Sequence, residues 1–490
     1  MEPLSAQDAS FLEIEDDVSH MHIGSVGIFE GPPPTGEELL EGVGAKLHLV
    51  PRYRQKVRYP PLHAGPPVWI DDPHFHLEYH VRRTALPSPG GEEELRTLVG
   101  RVMSQQLDRS KPLWEMWIAE GLGDGRWALV SKVHHCMVDG VSATDLLSVL
   151  LDSEREPARG SAPRWTPRPE PSAGDLLAQP LARRLASPIN AVSAVGALLR
   201  GPRQVAELAV GTVKGTAAMR GLLRPTPPSS LNGPIGPHRR WAWGHAQLSD
   251  VKVVRRGLGG TVNDVVLSAI TRGFRDLLST RGEDPSRLTV RTLVPVSVRR
   301  PGEEGSYNNR VSAMFAELPV GIEDPVERLR AVSSQMEHLK GSHQAVAGDV
   351  LTSMSGFAPA LLLALGMRVA FRMPQRSLNT VTTNVPGPQQ PLFLAGRRML
   401  EAVPYVPLAG GVRVGVAIFS YDGALKFGVT GDYDSSADIE VLCEGIERGM
   451  AELVEAAQSE GTAGDSAAVA ADAPADPTRE AAEATESSSR

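Results

Sequence analysis

The chain has 490 residues, with 50 basic and 58 acidic side chains, a formal net charge of −8 at pH 7, and 41% apolar and 22% charged residues. That is an ordinary globular composition, long enough for roughly two to four domain-sized units. The acidic balance excludes a general nucleic-acid binder, which needs a basic footprint. Two cysteines, Cys136 and Cys443, are too few for a disulfide scaffold or a cysteine-rich zinc site.

The N-terminal residues Met1 to Asp8 lack a basic region followed by an apolar one, so they do not read as a signal peptide. Trp127 to Val133 reads as a buried strand, and Val141 to Leu151 as a helix with Ser142 and Asp145 placed as a capping box. Proline-rich segments, Pro157 to Pro171 and Pro225 to Pro237, read as linkers. Between them Leu181 to Arg224 is apolar and basic, with seven basic side chains against the single acid Glu207. Two readings fit it: a helical crossover packed on the body with its charges solvated, or basic helices lying in the headgroup layer of an anionic membrane.

Val262 to Leu278 has helical spacing, and Leu288 to Val298 alternates like a strand. The longest apolar run, Phe357 to Met367, has 11 residues. A membrane-crossing helix takes about 20, so the expected location is cytoplasmic, with any membrane contact peripheral. Arg413 to Phe419 and Leu425 to Val429 flank Asp422-Gly423, a hairpin signal. From Gly461 onward there are six acids, two arginines and no aromatic residue, which predicts a disordered tail. The expected division is a lobe at 1–155, a crossover at 156–240, a second lobe at 241–458 and a tail at 459–490.

The sharpest chemical feature is His134-His135-Cys136-Met137-Val138-Asp139-Gly140, at a predicted strand-to-loop-to-helix junction. Such a junction holds side chains rigidly and presents them to a cleft. Histidine is the side chain best suited to take and return a proton near neutral pH. Gly140 permits a backbone conformation or a close approach that a side chain would block. A buried, hydrogen-bonded histidine pair at a strand end explains the same residues.

Other chemistries fit less well. Gly140-Val141-Ser142-Ala143-Thr144 lacks the final glycine of a hydrolase elbow. No Walker A sequence occurs, and Gly257-Leu258-Gly259-Gly260 lacks the next glycine of a dinucleotide fingerprint. His74, His76 and His80 would share one face of a strand beside Glu78. Two such histidines can ligate zinc, and a solvent-facing strand explains the spacing equally well.

His-His-x-x-x-Asp-Gly is the signature of coenzyme-A-dependent acyltransferases and of peptide-synthetase condensation domains. Up to about residue 458 the chain resembles one branch, the bacterial wax ester synthase/diacylglycerol acyltransferases. The resemblance is carried by Leu4 to Leu12, Met21-His22-Ile23-Gly24, Tyr79 to Arg83, and Leu107 to Glu115 with its Pro112-Leu113-Trp114. It continues in Asn263-Asp264-Val265-Val266-Leu267, Pro295 to Arg299 with Asn309-Arg310, Thr383-Asn384-Val385-Pro386-Gly387-Pro388, and Ser420 to Gly423. No carrier-protein or adenylation module accompanies the chain, which sets it apart from a condensation system.

The resemblance implies an α/β (α+β) fold of two chloramphenicol-acetyltransferase-like lobes, mixed sheets with covering helices, and an active-site tunnel between the lobes. It implies transfer of a fatty acyl group from acyl-coenzyme A to diacylglycerol or a long-chain fatty alcohol. No metal or redox cofactor is expected, and acyl-CoA serves as substrate. The expected surroundings are a membrane or lipid-droplet surface, at the inner membrane or on droplets, with no nucleic acid. His135 would take the acceptor's hydroxyl proton and return it to the leaving thiolate, without an acyl-enzyme. His134 would be structural, because adjacent side chains on an extended segment point opposite ways. Asp139 would shape the loop. Asn263 is the candidate oxyanion donor, a contact whose loss typically costs about 3–4 kcal/mol of barrier; a helix N-cap is its other reading. Asp264, Arg299, Thr383 and Asn384 are the candidate substrate-binding residues. Arg299 and Arg310 fit two partners, Asp139 or coenzyme-A phosphates. A non-enzymatic lipid-coat or scaffold protein is the alternative of another class; it would have no need of His135.

Overall fold

The structure is a computed structural model that describes residues 2–61, 65–137, 150–156, 163–178, 225–297, 311–341 and 377–471. The first half supplies β1 (Glu2–Pro3), α1 (Ala6–Ile14), β2 (His22–Phe29), α2 (Gly36–Lys46), β3 (Gln55–Arg58) and β4 (Val68–Asp71). There follow α3 (Leu77–His80), β5 (Val81–Ala85), α4 (Glu92–Met103), β6 (Trp114–Leu122) and β7 (Arg126–His134). The second half supplies β8 (Arg239–Gln247), α5 (Leu248–Leu258), α6 (Val262–Thr280), β9 (Val290–Ser297), β10 (Val311–Leu318), α7 (Pro325–Gly341) and β11 (Thr380–Pro386). Last come β12 (Phe393–Leu394), β13 (Arg397–Tyr405), β14 (Val414–Tyr421), β15 (Ala424–Asp432) and α8 (Ile439–Ala471).

Two six-stranded mixed sheets dominate. The first runs β12-β13-β2-β7-β6-β5 and the second β10-β9-β11-β14-β15-β8; β1, β4 and β3 form a small third sheet. In the first sheet β5 runs parallel to β6 and the other pairs are antiparallel. In the second, β11 lies parallel to both β9 and β14.

β7 is central and buried along almost its whole length, which is why Trp127 to Val133 reads as a near-continuous apolar run. Its one buried cation, Lys132, donates to the carbonyls of Val102 and Gln105 at the C-terminal end of α4. Carbonyls at a helix C-terminus have spare acceptor capacity, so the ammonium finds acceptors without a carboxylate. The second lobe's core surrounds α6, which buries Val265, Val266, Ile270, Phe274 and Leu277 against β9, β14, β15 and α8.

The sheets do not respect a division at residue 240. β12 and β13 lie within the second lobe's stretch of sequence yet complete the first sheet, where β13 pairs with β2. β13 also touches the second sheet: a Cβ at Gly428 of β15 would sit 1.8 Å from the Pro404 carbonyl, and Trp241 Nε1 donates to that carbonyl at 3.2 Å. Only a residue without a side chain fits at that crossing.

Two further observations bear on the sequence reading. His80 is not on a solvent-facing strand: residues 77–80 form the short helix α3, and the His80 ring is buried between Phe75 and Trp114, with Nδ1 donating to the Trp114 carbonyl at 2.8 Å. The last helix continues through Ala471, well past the expected start of a tail at 459, while 472–490 lie outside the described residues. The apolar run at 357–367 and the basic stretch at 181–224 lie outside the described residues too, the latter in full. Before that stretch, the linker is pinned to the small sheet by Arg168, which donates to both carboxylate oxygens of Asp71.

Candidate active site

β7 delivers His134 as its last residue, and a 3-10 turn at His135–Met137 follows. The His134 backbone N–H donates to Leu113 O at 2.9 Å and that of His135 to Met21 O at 2.8 Å, so both are anchored to neighbouring strands or their ends. The two side chains part as an extended segment requires. His134 is fully buried, whereas His135 is half-buried and stacks on Phe11 of α1, with ring centroids 3.8 Å apart and planes 22° from parallel.

Burial pulls the His135 imidazole down to about 4; its own backbone carbonyl opposes the shift and the neighbouring His134 adds to it. The ring is therefore neutral at pH 7, with a lone pair free to accept a proton. Its Nδ1 is buried and forms no hydrogen bond among the described residues. Cys136, next in sequence, is fully buried, and its thiol is pushed up by that burial. A protonated, enclosed thiol is no nucleophile, so a cysteine–histidine pair is not assembled here.

Beneath the pair lies a polar cluster that motif reading did not find. The Glu15 side chain, only 3% exposed, sits just past the end of α1. Its Oε1 lies 3.2 Å from His22 Nε2 and accepts from Met21 N at 3.3 Å. Its Oε2 accepts from Arg109 Nη2 at 2.7 Å and Nε at 3.0 Å, and lies 3.6 Å from His134 Nε2. Burial alone would raise this carboxyl; His134 and His22 beside it overcome that and hold it well below the usual carboxylate range. His22 is held down to about 3, chiefly by burial. Phe11, His22 and Arg109 lie within the blocks at 4–12, 21–24 and 107–115, so the signal was present but unassigned; Glu15 falls between blocks.

The remaining candidates are dispersed. Asp139, Gly140, Arg299 and Arg310 lie outside the described residues. Asn263 occupies the first turn of α6, half-buried, but it is not the N-cap: that is Thr261, whose hydroxyl accepts from Asp264 N at 3.3 Å. Asp264 returns the bond by accepting from Thr261 N at 2.8 Å, completing a capping box, while its Oδ1 is buried without a hydrogen-bond partner. Thr383 and Asn384 lie on the interior strand β11, half-buried, opposite Ala417 and Ile418. Among the described residues no hydrogen bond or ring contact joins these four to His135.

The loop after β11 is shaped by the Ser420–Gly423 block: Gly387 N donates to Ser420 Oγ at 3.1 Å, and Leu392 N to the Tyr421 hydroxyl at 2.8 Å. With this loop's Pro388, residues Ser25, Gly27, Leu129, Met399 and Phe419 line an apolar slot where the two sheets meet. Trp114 buries its ring and donates to Tyr53 O at 2.8 Å, so the Pro-Leu-Trp block makes a core contact. Among the described residues no group of three or more His, Cys, Asp or Glu is placed to hold a metal ion, and no helix is long and apolar enough to cross a membrane.

Two mixed sheets meeting beside a histidine pair at a strand end are the architecture of coenzyme-A-dependent acyltransferases, and solved structures share it. A wax ester synthase/diacylglycerol acyltransferase from Marinobacter aquaeolei VT8 superposes with a TM-score of 0.66 at 26% identity, over 94% of this chain and 100% of that one. TRI3 trichothecene 15-O-acetyltransferase from Fusarium sporotrichioides, at 12% identity and a TM-score of 0.60 over 93% and 94% of the chains, shares the fold. Residues 4–266 match the wax ester synthase/diacylglycerol acyltransferase catalytic domain, and residues 307–454 match the WS/DGAT C-terminal domain. A Mycobacterium tuberculosis protein described as "probable diacyglycerol O-acyltransferase tgs1" is 39% identical over 459 residues, covering 93% of this chain and 96% of that one. The chain belongs to the wax ester synthase/diacylglycerol acyltransferase family, and it is an acyltransferase.

Proposed function

We propose that the chain transfers a fatty acyl group from acyl-coenzyme A to the free hydroxyl of diacylglycerol, releasing triacylglycerol and coenzyme A. The observation that carries the mechanism is the half-buried, neutral His135 ring at the end of β7. Its imidazole takes the proton from the acceptor hydroxyl as that oxygen attacks the thioester carbonyl. The carbon–sulfur bond then breaks, and the same proton goes to the leaving thiolate. The substrate's own oxygen is the nucleophile, so no acyl-enzyme forms. The tetrahedral oxyanion takes a hydrogen bond from Asn263 at the start of α6, where the helix's positive end favours negative charge. His134, Asp139 and Gly140 hold the loop. Arg299, Thr383 and Asn384 line the substrate path, Arg299 pairing with Asp139 or with coenzyme-A phosphates, while Asp264 caps α6.

The apolar side chains at the joint of the sheets support an acyl-chain path along them, although the enclosed slot itself has room for only about one water molecule. Ser25, Gly27 and Leu129 lie on the face of β2 and β7 that continues through Ser131 and Val133 towards His135. The basic stretch at 181–224 supports peripheral attachment to an anionic inner membrane or a lipid droplet. No metal is required by this chemistry. The diacylglycerol assignment rests on the relatives' names.

Labelled acyl-CoA incubated with purified protein and an equimolar mixture of diacylglycerol and hexadecanol tests it. Labelled triacylglycerol should dominate, with coenzyme A released in equal amount. Wax ester as the main product would move the assignment to fatty alcohols, and neither product would overturn it.

A further inference from the structure

We propose that Glu15 is a positioning residue for acyl transfer: its buried carboxylate ties His134, His22, Arg109 and the backbone at Met21 into one unit from which His135 is presented. The inference rests on the reading of His135 as the base.

His134 Nδ1 accepts from Cys136 N at 3.1 Å, which turns Nε2 towards Glu15 Oε2 at 3.6 Å, too far for a hydrogen bond. His22 Nε2 lies within reach of Leu107 N at 3.4 Å and of Glu15 Oε1 at 3.2 Å, and it cannot accept from one while donating to the other. The bond to the charged acceptor is the shorter and stronger, so His22 carries its proton on Nε2. The Cys136 N–H thus sets the tautomer of His134, and the carboxylate that of His22. Arg109 supplies the balancing charge and also donates to Leu12 O at 2.8 Å, which fixes the end of α1.

The connection to His135 is short and double. Glu15 holds the N–H of Met21, whose carbonyl holds the N–H of His135. Glu15 also faces the side chain of His134, one residue away. The same helix end carries Phe11, the ring on which His135 stacks. A carboxylate with donors on both oxygens, enclosed beneath the site, sets where that imidazole sits. A displacement of about 1 Å at a reacting group can cost on the order of a hundredfold in rate. Glutamine at this position turns an amide N–H towards a donor and leaves Arg109 unbalanced, so the unit loosens.

The test is a double-mutant cycle on the full-length protein with acyl-CoA and diacylglycerol, comparing E15Q, H135A and the double variant at matched folded fraction. E15Q should lower kcat by about ten- to a hundredfold, with the KM for acyl-CoA changed less than about twofold. The double variant should be no slower than H135A alone, because Glu15 acts through His135; losses that multiply would mark a merely structural role and overturn the proposal. Should E15Q fail to fold, Glu15→Asp keeps the charge but withdraws it by one methylene, and the same non-additivity is required of it. Wild-type turnover in E15Q with a lost H135A overturns the Glu15 inference alone. Wild-type turnover in H135A overturns the reading on which it rests.

Discussion

Among single residues, the buried imidazoles decide how the protein answers to acid. His22 is held down to about 3 and His135 to about 4, from an ordinary 6.5, and His20 and His80 are lowered too, each chiefly by burial. A histidine whose folded value is depressed takes up a proton more readily once the chain unfolds. The stability it lends is full above 6.5 and is lost as pH falls from there towards the folded values. Glu15, held below its ordinary 4.5, acts in the same direction at lower pH: its contribution is present above that value and lost beneath it. Thermal melting should therefore occur at lower temperature at pH 5 than at pH 7; equal midpoints would show that these rings are not buried neutral. The histidine motif was legible because its members are adjacent in sequence. Glu15 was not, because His22, Arg109 and His134 meet it only through pairing between β2 and β7 and the packing of α1.

For the elements, α6 separates a structural from a substrate role. Asp264 was expected to touch substrate, and the fold uses one of its oxygens to close the capping box with Thr261. Removing a capping side chain typically costs about 1 kcal/mol, with a range of roughly 0.5–2. Asp264→Ala should lower the melting temperature by that measure while leaving the KM for acyl-CoA close to wild type; an unchanged melt with a raised KM would return Asp264 to the substrate path. Sequence period located β7, α6, β9 and the β14–β15 hairpin to within a few residues, since each buries one face or two along its length. The hairpin's Asp422 and Gly423 adopt φ of 45° and 84°, which the Asp-Gly signal requires. The histidines at 74–80 misled because α3 interrupts the alternation there, and α8 outran its apolar pattern.

At the scale of the whole molecule, the two halves are interleaved rather than merely apposed. β12 and β13 leave the second lobe's sequence to finish the first sheet, and β13 crosses β15 so closely that Gly428 is required. Pairing between strands more than 300 residues apart has no local signature, so the boundary at 240 could be read only as a change in composition. This interleaving fixes the first sheet, with His135 at one strand end, against the second, with Asn384 on β11, and it places an apolar slot at their joint. On the proposed mechanism that architecture serves one proton transfer. The most direct test is kcat for acyl transfer from acyl-CoA to diacylglycerol by His135→Ala, in protein whose melting temperature matches wild type. A loss of about a hundredfold or more is predicted; turnover at the wild-type rate would contradict the account.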